Sequence, residues 1–123
     1  MSVIVRDDGF HADDFDGNAI DIAQDTRPDD LPTSFEGIDM IRIPFPSFAD
    51  GRGFTLARLL RRRGFAGRLR AVGHVIADQY AMARRCGFDE VEISDELAQR
   101  QPQDQWLFRA NWRDHDYRSQ MGA

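Results

Sequence analysis

The hydrophobic residues between positions 40 and 93 change their spacing along the chain, alternating between the period of a strand and the period of a helix. Short runs with apolar or β-forming residues predict three strands, at 40–43, 69–72 and 88–93. Two segments with apolar residues three or four positions apart predict the intervening helices, at 54–63 and 75–85. Gly64 and Gly87 follow the helical segments, where helices commonly end. The pattern predicts a βαβαβ unit with three parallel strands.

The last predicted strand differs from the other two because charged residues alternate with its apolar ones. Val91 and Ile93 alternate with Glu90 and Glu92. This two-residue alternation is typical of a strand with one face in solvent. We therefore expect this strand at the sheet edge.

The segments flanking this unit have weaker patterns. Within residues 1–15, a β-branched run and an Asp8-Gly9 turn predict an N-terminal hairpin. Residues 16–39 are acidic and contain two prolines, which predicts an irregular connector on the surface. Residues 94–120 predict a short helical turn followed by an aromatic-rich C-terminal helix from 104 to 120. The sequence thus predicts one α/β domain over residues 1–123, with a small parallel sheet formed by the βαβαβ core at 40–93.

Composition and net charge limit the cellular locations and the classes of partner that we expect for this protein. The chain has 123 residues, of which 41% are hydrophobic and 30% charged, so it can form the core of one domain. We expect no membrane segment and no export signal, because no apolar run approaches the roughly 18 residues that spanning requires. The single cysteine favours a reducing, cytoplasmic location. The net charge of −5 argues against a nucleic-acid partner.

Three loops lie at the carboxyl ends of the predicted strands, the edge where open α/β sheets usually bind ligands, and the third of them carries Ser94 and Asp95. Asp50, Gly51, Arg52 and Gly53 follow the first strand, and His74 follows the second. Arg52 ahead of a helix suits an oxyanion, because backbone N–H groups, the helix dipole and a guanidinium would point in one direction. Alternatively, Asp50 caps the helix, the glycines form the turn and Arg52 lies in solvent. His74 suits proton transfer or ligand binding, or is a structural or solvent-exposed histidine.

We expect no cofactor and no metal, because the sequence contains no complete motif for either. Gly51-Arg52-Gly53 opens like a dinucleotide fingerprint, but Leu56 occupies the position of the third glycine. The chain has no lysine and therefore no P-loop. Its histidines lack metal-ligand spacing, and we interpret Cys86 as a packing residue.

The stretch FPSFADGRGF, from Phe45 to Phe54, resembles the signature of a bacterial domain-of-unknown-function family encoded beside sulfite reductase. The likeness covers roughly residues 41–93, although His74 stands where the family pattern has an acidic residue. The resemblance implies a role in assimilatory sulfite reduction, with sulfite reductase or another sulfur-assimilation protein as partner. Members are described as oxidoreductases without a demonstrated reaction, and no catalytic residues carry over.

Two functions remain open at the level of sequence. The first is a non-catalytic accessory or interaction protein linked to assimilatory sulfite reduction. The second is a small oxyanion-binding enzyme or sensor with its site at the strand carboxyl ends. Whether the protein is an enzyme is undecided at this level.

Overall fold

A computed structural model describes residues 2–112 and has one six-stranded mixed sheet in the order β2-β1-β6-β5-β4-β3. The strands are β1 Ser2–Arg6, β2 Gly9–His11, β3 Ala19–Asp21, β4 Met40–Phe45, β5 Arg68–Gly73 and β6 Glu90–Ser94. The helices are α1 Arg52–Arg62, α2 Tyr80–Cys86, α3 Asp95–Arg100 and α4 Gln103–Leu107. Short 3₁₀ turns cover Pro28–Asp30 and Ala77–Gln79. None of these helices has the length and apolar character needed to cross a bilayer.

The predicted βαβαβ unit is present as β4-α1-β5-α2-β6, with β4, β5 and β6 parallel. The predicted small parallel sheet was only partly right, because the sheet is mixed. The N-terminal hairpin of β1 and β2 joins it through antiparallel pairing of β1 with β6. As a result β6 is an interior strand, and the prediction that it lies at the edge was wrong.

The connector also contributes a strand that its sequence pattern did not predict. β3 pairs in parallel with β4 and forms the far edge of the sheet. Only three residues pair, and β3 ends before the level of Pro44. The backbone carbonyl of Arg42 points toward β3, where it accepts a hydrogen bond from Ile22 N–H. Because backbone direction repeats every two residues in a strand, the nitrogen of Pro44 points to the same side, beyond the end of β3. Pro44 therefore leaves no ladder hydrogen bond unmade and is tolerated within β4.

One face of the sheet packs against the helices and forms the core. Apolar side chains of β4, β5 and β6 meet those of α1 and α2 there, and Trp106 of α4 joins the same cluster. Phe45 anchors the cluster, with its ring 4.9 Å from Phe54 and 5.8 Å from Phe88. Gly64 and Gly87 follow α1 and α2 with positive φ, as predicted for the helix ends.

The opposite face of the sheet carries a charge network that we call the charged face, formed by Arg70, Glu90, Glu92 and Asp13. The Arg70 guanidinium donates to Glu90 at 2.6 Å, to Glu92 at 2.8 Å and to both Asp13 oxygens at 3.1 Å. Asp13 belongs to residues 12–18, which lead from β2 at one edge of the sheet to β3 at the other. The chain therefore crosses the charged face and leaves the Arg70 and Glu90 side chains only 1% and 2% exposed.

The C-terminal region was predicted as a short helical turn at 96–100 and a helix from 104 to 120, and the described part of that helix is shorter than predicted. The short turn predicted at 96–100 is present as α3, and Ser94 Oγ caps it by accepting a hydrogen bond from Leu97 N–H. Pro102 then separates α3 from α4, which ends at Leu107. The rest of the predicted helix, from residue 113 onward, lies outside the described residues.

Candidate functional site at the strand carboxyl ends

A groove of about 330 Å³ lies at the carboxyl ends of β5 and β6. Five of its lining residues carry side chains that matter chemically: Phe48, His74, Ser94, Glu96 and Arg100. Gly73 and Leu97 complete the lining. The groove therefore lies at the edge where ligand binding was expected, although most of its side chains differ from those predicted.

Phe48 forms an aromatic wall and is held on an ordered loop between β4 and α1. The Gln79 amide donates to the Phe48 carbonyl at 2.8 Å, and Ser47 closes the loop by accepting from Ala49 N–H and Asp50 N–H. Phe45, in the same FPSFADGRGF stretch, is buried, whereas Phe48 is 44% exposed. The loop thus fixes an aromatic ring in a position where it contributes little to the core.

His74 is oriented by two contacts next to this ring. The turn at Gly73, with φ +108°, brings the His74 side chain back over β4. His74 Nδ1 lies 3.2 Å from the Phe45 carbonyl oxygen, and the imidazole meets Phe48 edge-on with a centroid distance of 5.2 Å. A carbonyl oxygen can only accept, so Nδ1 carries the proton in this bond. In the neutral ring Nε2 is then a hydrogen-bond acceptor.

α3 supplies the opposite side of the groove. Ser94 precedes it, and Glu96 and Arg100 lie one turn apart with a carboxylate–guanidinium distance of 2.5 Å. Both side chains are more than 70% exposed. An exposed ion pair at this spacing contributes little stability, so its partners can be exchanged at small cost.

The predicted anion-binding residues are divided between two places. The Arg52 guanidinium donates a bidentate pair of hydrogen bonds to the Asp50 carboxylate, from Nε at 2.9 Å and from Nη2 at 2.8 Å. Asp50 also accepts a hydrogen bond from the Arg52 backbone N–H. These hydrogen bonds hold the Asp50 pKa below its usual value. Arg52 lines a different groove, between the connector and α1, together with Thr26 and Thr55. The structure thus brings His74 and Phe48 together, with Arg52 in another groove.

The two glycines beside Arg52 have different roles. Gly51 precedes α1, and a Cβ there would come no closer than 3.8 Å to another side chain. A Cβ on Gly53 would lie 2.6 Å from the Phe45 ring. Gly53 therefore permits close packing of α1 on β4.

Three groove residues were missed in the sequence. Phe48 had a detectable signal, since it is a large apolar residue within a turn-rich stretch. Glu96 and Arg100 had the i,i+4 spacing of a helical ion pair. Their convergence with His74 depends on the pairing of β5 with β6, which no local pattern encodes.

Two other candidate features lie away from the groove. Cys86 is buried at the end of α2, and its sulfur accepts a hydrogen bond from Arg58 at 3.3 Å. Among residues 2–112, no cluster of three or more histidine, cysteine, aspartate or glutamate side chains is arranged to hold a metal ion.

The fold and the groove define an α/β protein with a ligand-sized cleft at the carboxyl edge of a mixed sheet. The chain belongs to a family of bacterial proteins of unknown function, DUF934, whose model matches residues 19–120. This confirms the predicted membership in a bacterial family of unknown function, and the link to sulfite reduction stays a prediction. No curated protein and no solved structure matches the chain.

Proposed function

We propose that this protein is a non-catalytic accessory protein linked to assimilatory sulfite reduction, and that it binds sulfite reductase or another sulfur-assimilation protein. The observation that carries the proposal is the exposure of Phe48 on a fixed loop beside the groove. The loop belongs to the FPSFADGRGF stretch on which the resemblance rests. The proposal places partner contact at the carboxyl edge of the sheet.

The physical basis is the energetic role of aromatic residues at interfaces. A phenylalanine ring that is already ordered loses little conformational freedom on binding and contributes a large apolar area. Aromatic residues, phenylalanine among them, are enriched at protein interfaces relative to the rest of the surface. The neighbouring His74, Ser94 and Arg100 supply polar groups of the kind found at an interface rim.

The direct test measures binding of the purified protein to purified sulfite reductase from the same organism by surface plasmon resonance. We expect binding, and we expect Phe48→Ala to weaken it by about thirtyfold or more, which corresponds to the loss of about 2 kcal/mol that defines an interface hot spot. Met82→Ala is the matched control, because Met82 is also exposed but lies on α2 and does not line the groove. Equal effects of the two substitutions would contradict the assignment of Phe48.

A genetic test addresses the pathway. A deletion strain should grow more slowly than its parent when sulfite or sulfate is the sulfur source, and added cysteine should remove the difference. The wild-type gene should restore growth, whereas the Phe48→Ala gene should restore it incompletely. Equal growth of deletion strain and parent under several sulfur sources would count against the accessory role.

The second candidate, a small oxyanion-binding enzyme or sensor, is favoured by one observation. The groove combines a guanidinium, a hydroxyl and an imidazole, which are common groups for binding anions. Titration calorimetry with sulfate, sulfite, phosphate and nucleotides tests it. Heat of binding that disappears in Arg100→Gln would support an oxyanion site, and no uptake of any of these ligands would count heavily against it.

A further inference from the structure

We propose that the carboxyl-end groove binds a free α-amino acid in its zwitterionic form. The inference rests on the proposed function only in treating this edge of the sheet as a binding surface. It adds a small-molecule class that the accessory role does not specify. Donors, acceptors and apolar surface are arranged around the groove in the way that such a ligand requires.

Two groups in the groove suit a carboxylate. Arg100 presents a guanidinium, which matches the geometry of a carboxylate. The Ser94 oxygen already accepts from Leu97 N–H at 3.1 Å, so its hydroxyl hydrogen remains to donate. Both residues line the groove.

Two other groups suit an ammonium. Glu96 presents a carboxylate, and the His74 imidazole in its neutral form presents Nε2 as an acceptor because Nδ1 donates to the Phe45 carbonyl. The groove thus provides two donors and two acceptors, and the charges of Glu96 and Arg100 cancel. A ligand with one positive and one negative group matches this balance, whereas a simple anion would meet the uncompensated charge of Glu96.

The Glu96–Arg100 ion pair can exchange its partners for a ligand. Both side chains are mostly in solvent, where such a pair stabilises the protein by roughly 0–1 kcal/mol. Replacing one exposed ion pair by two contacts to a bound zwitterion therefore costs little. The pair also keeps both charged groups at the groove in the absence of ligand.

The remaining surface suits the side chain of an amino acid. Phe48 and Leu97 form apolar parts of the lining. The volume of about 330 Å³ lies at the small end of ligand pockets, which range from about 300 to 1,000 Å³. This size favours a small metabolite over a nucleotide or a large cofactor.

The test is calorimetric titration of the purified full-length protein with the free L-amino acids, one at a time. We expect at least one to bind. Its amide, which lacks the carboxylate, and its N-acetyl derivative, which lacks the ammonium, should each bind about tenfold or more weakly, because each loses a charge-assisted hydrogen bond. Binding of the amide or the N-acetyl derivative as tight as that of the amino acid would overturn the inference, as would no binding by any amino acid.

Variants test the assigned groups. Arg100→Gln and Glu96→Gln should each weaken binding by about tenfold or more, since each removes one charged contact. Arg62→Gln is the control, because Arg62 is exposed at the end of α1 and does not line the groove. Circular dichroism confirms folding of each variant. Unchanged binding in both groove variants would overturn the assignment.

The outcome separates this inference from the accessory role. Sulfite reductase binding without amino-acid binding overturns the amino-acid site alone. Amino-acid binding without sulfite reductase binding supports the site and counts against the accessory role. Binding of sulfate or sulfite with no binding of any amino acid overturns the zwitterion inference and supports the oxyanion candidate.

Discussion

Leu60 is fully buried among the core residues of α1, whereas Leu59 is partly exposed and lines the groove between α1 and the connector. Both belong to the apolar spacing that predicted the helix at 54–63, and the structure distinguishes them. Leu60→Ala should lower the free energy of unfolding by about 2–5 kcal/mol, because it leaves a cavity in the core. Leu59→Ala should cost less, and Arg62→Ala should remain within roughly 0.5 kcal/mol. Urea unfolding measures all three, and equal losses would contradict this assignment of helix faces.

Asp7, in the turn of the N-terminal hairpin, accepts hydrogen bonds from side chains of α2. Its ionisation should make the free energy of unfolding depend on pH in the acidic range. Burial opposes its ionisation, but hydrogen bonds from Tyr80 at 2.5 Å and Arg84 at 3.1 Å outweigh burial and hold its pKa below the usual 3.8. A lowered pKa in the folded state stabilises the protein above pH 3.8, and this stability is lost as the pH falls through the folded-state value.

The Asp7→Asn variant should therefore lose less stability than the wild type when urea unfolding is repeated from about pH 7 down to about pH 3. Asp16→Asn, at an exposed position, is the control and should follow the wild-type pH dependence. A wild-type pH profile shared by both variants would show that Asp7 contributes no part of the acid sensitivity.

At the scale of single elements, the approach of α1 to β4 depends on Gly53. A methyl group there would lie only 2.6 Å from the Phe45 ring and would clash with it. Gly53→Ala should therefore destabilise the protein by about 1–3 kcal/mol through overpacking. Gly51→Ala has room for its methyl group and should change stability by less than about 1 kcal/mol. Thermal unfolding of both variants measures the contrast. Similar melting temperatures would mean that the two glycines have the same role.

The elements of the central unit could be predicted because their signals are local. Gly64 and Gly87 marked the helix ends, and short apolar runs marked β4 and β5. β3 could not be predicted, because Ala19–Asp21 becomes a strand only by pairing with β4. The alternation of glutamates in β6 was read as exposure, yet Glu90 is buried because Arg70 lies opposite it on β5. Strand order and charge pairing are long-range properties, and the same limit applies to the convergence of Arg100 with His74.

At the scale of the whole molecule, the charged face links parts of the chain that are distant in sequence. Arg70 of β5 contacts Glu90 and Glu92 of β6 and also Asp13 of the crossing segment. Burial opposes the charge of Arg70, but hydrogen bonding to Asp13 and the charge of Glu90 outweigh it and raise the Arg70 pKa. Arg70 is therefore charged at every relevant pH, and it is the nearest cation to Glu90, which Arg6 and Arg68 contact at 3.3 and 3.6 Å.

Removing this arginine should destabilise the protein more than removing a comparable arginine at the surface. Arg70→Met leaves the buried Glu90 carboxylate without its closest partner, and breaking a buried pair from one side costs about 3–5 kcal/mol. Arg42→Met breaks only the partly exposed pair with Asp21 and should cost about 0–1 kcal/mol beyond the effect of lost packing. The double variant Arg70→Met with Glu90→Leu should recover part of the loss, because no buried carboxylate then depends on the more distant Arg6 and Arg68, at 3.3 and 3.6 Å, for compensation. Urea unfolding at neutral pH measures each free energy, and a double variant less stable than Arg70→Met alone would show that Glu90 has another role in the network.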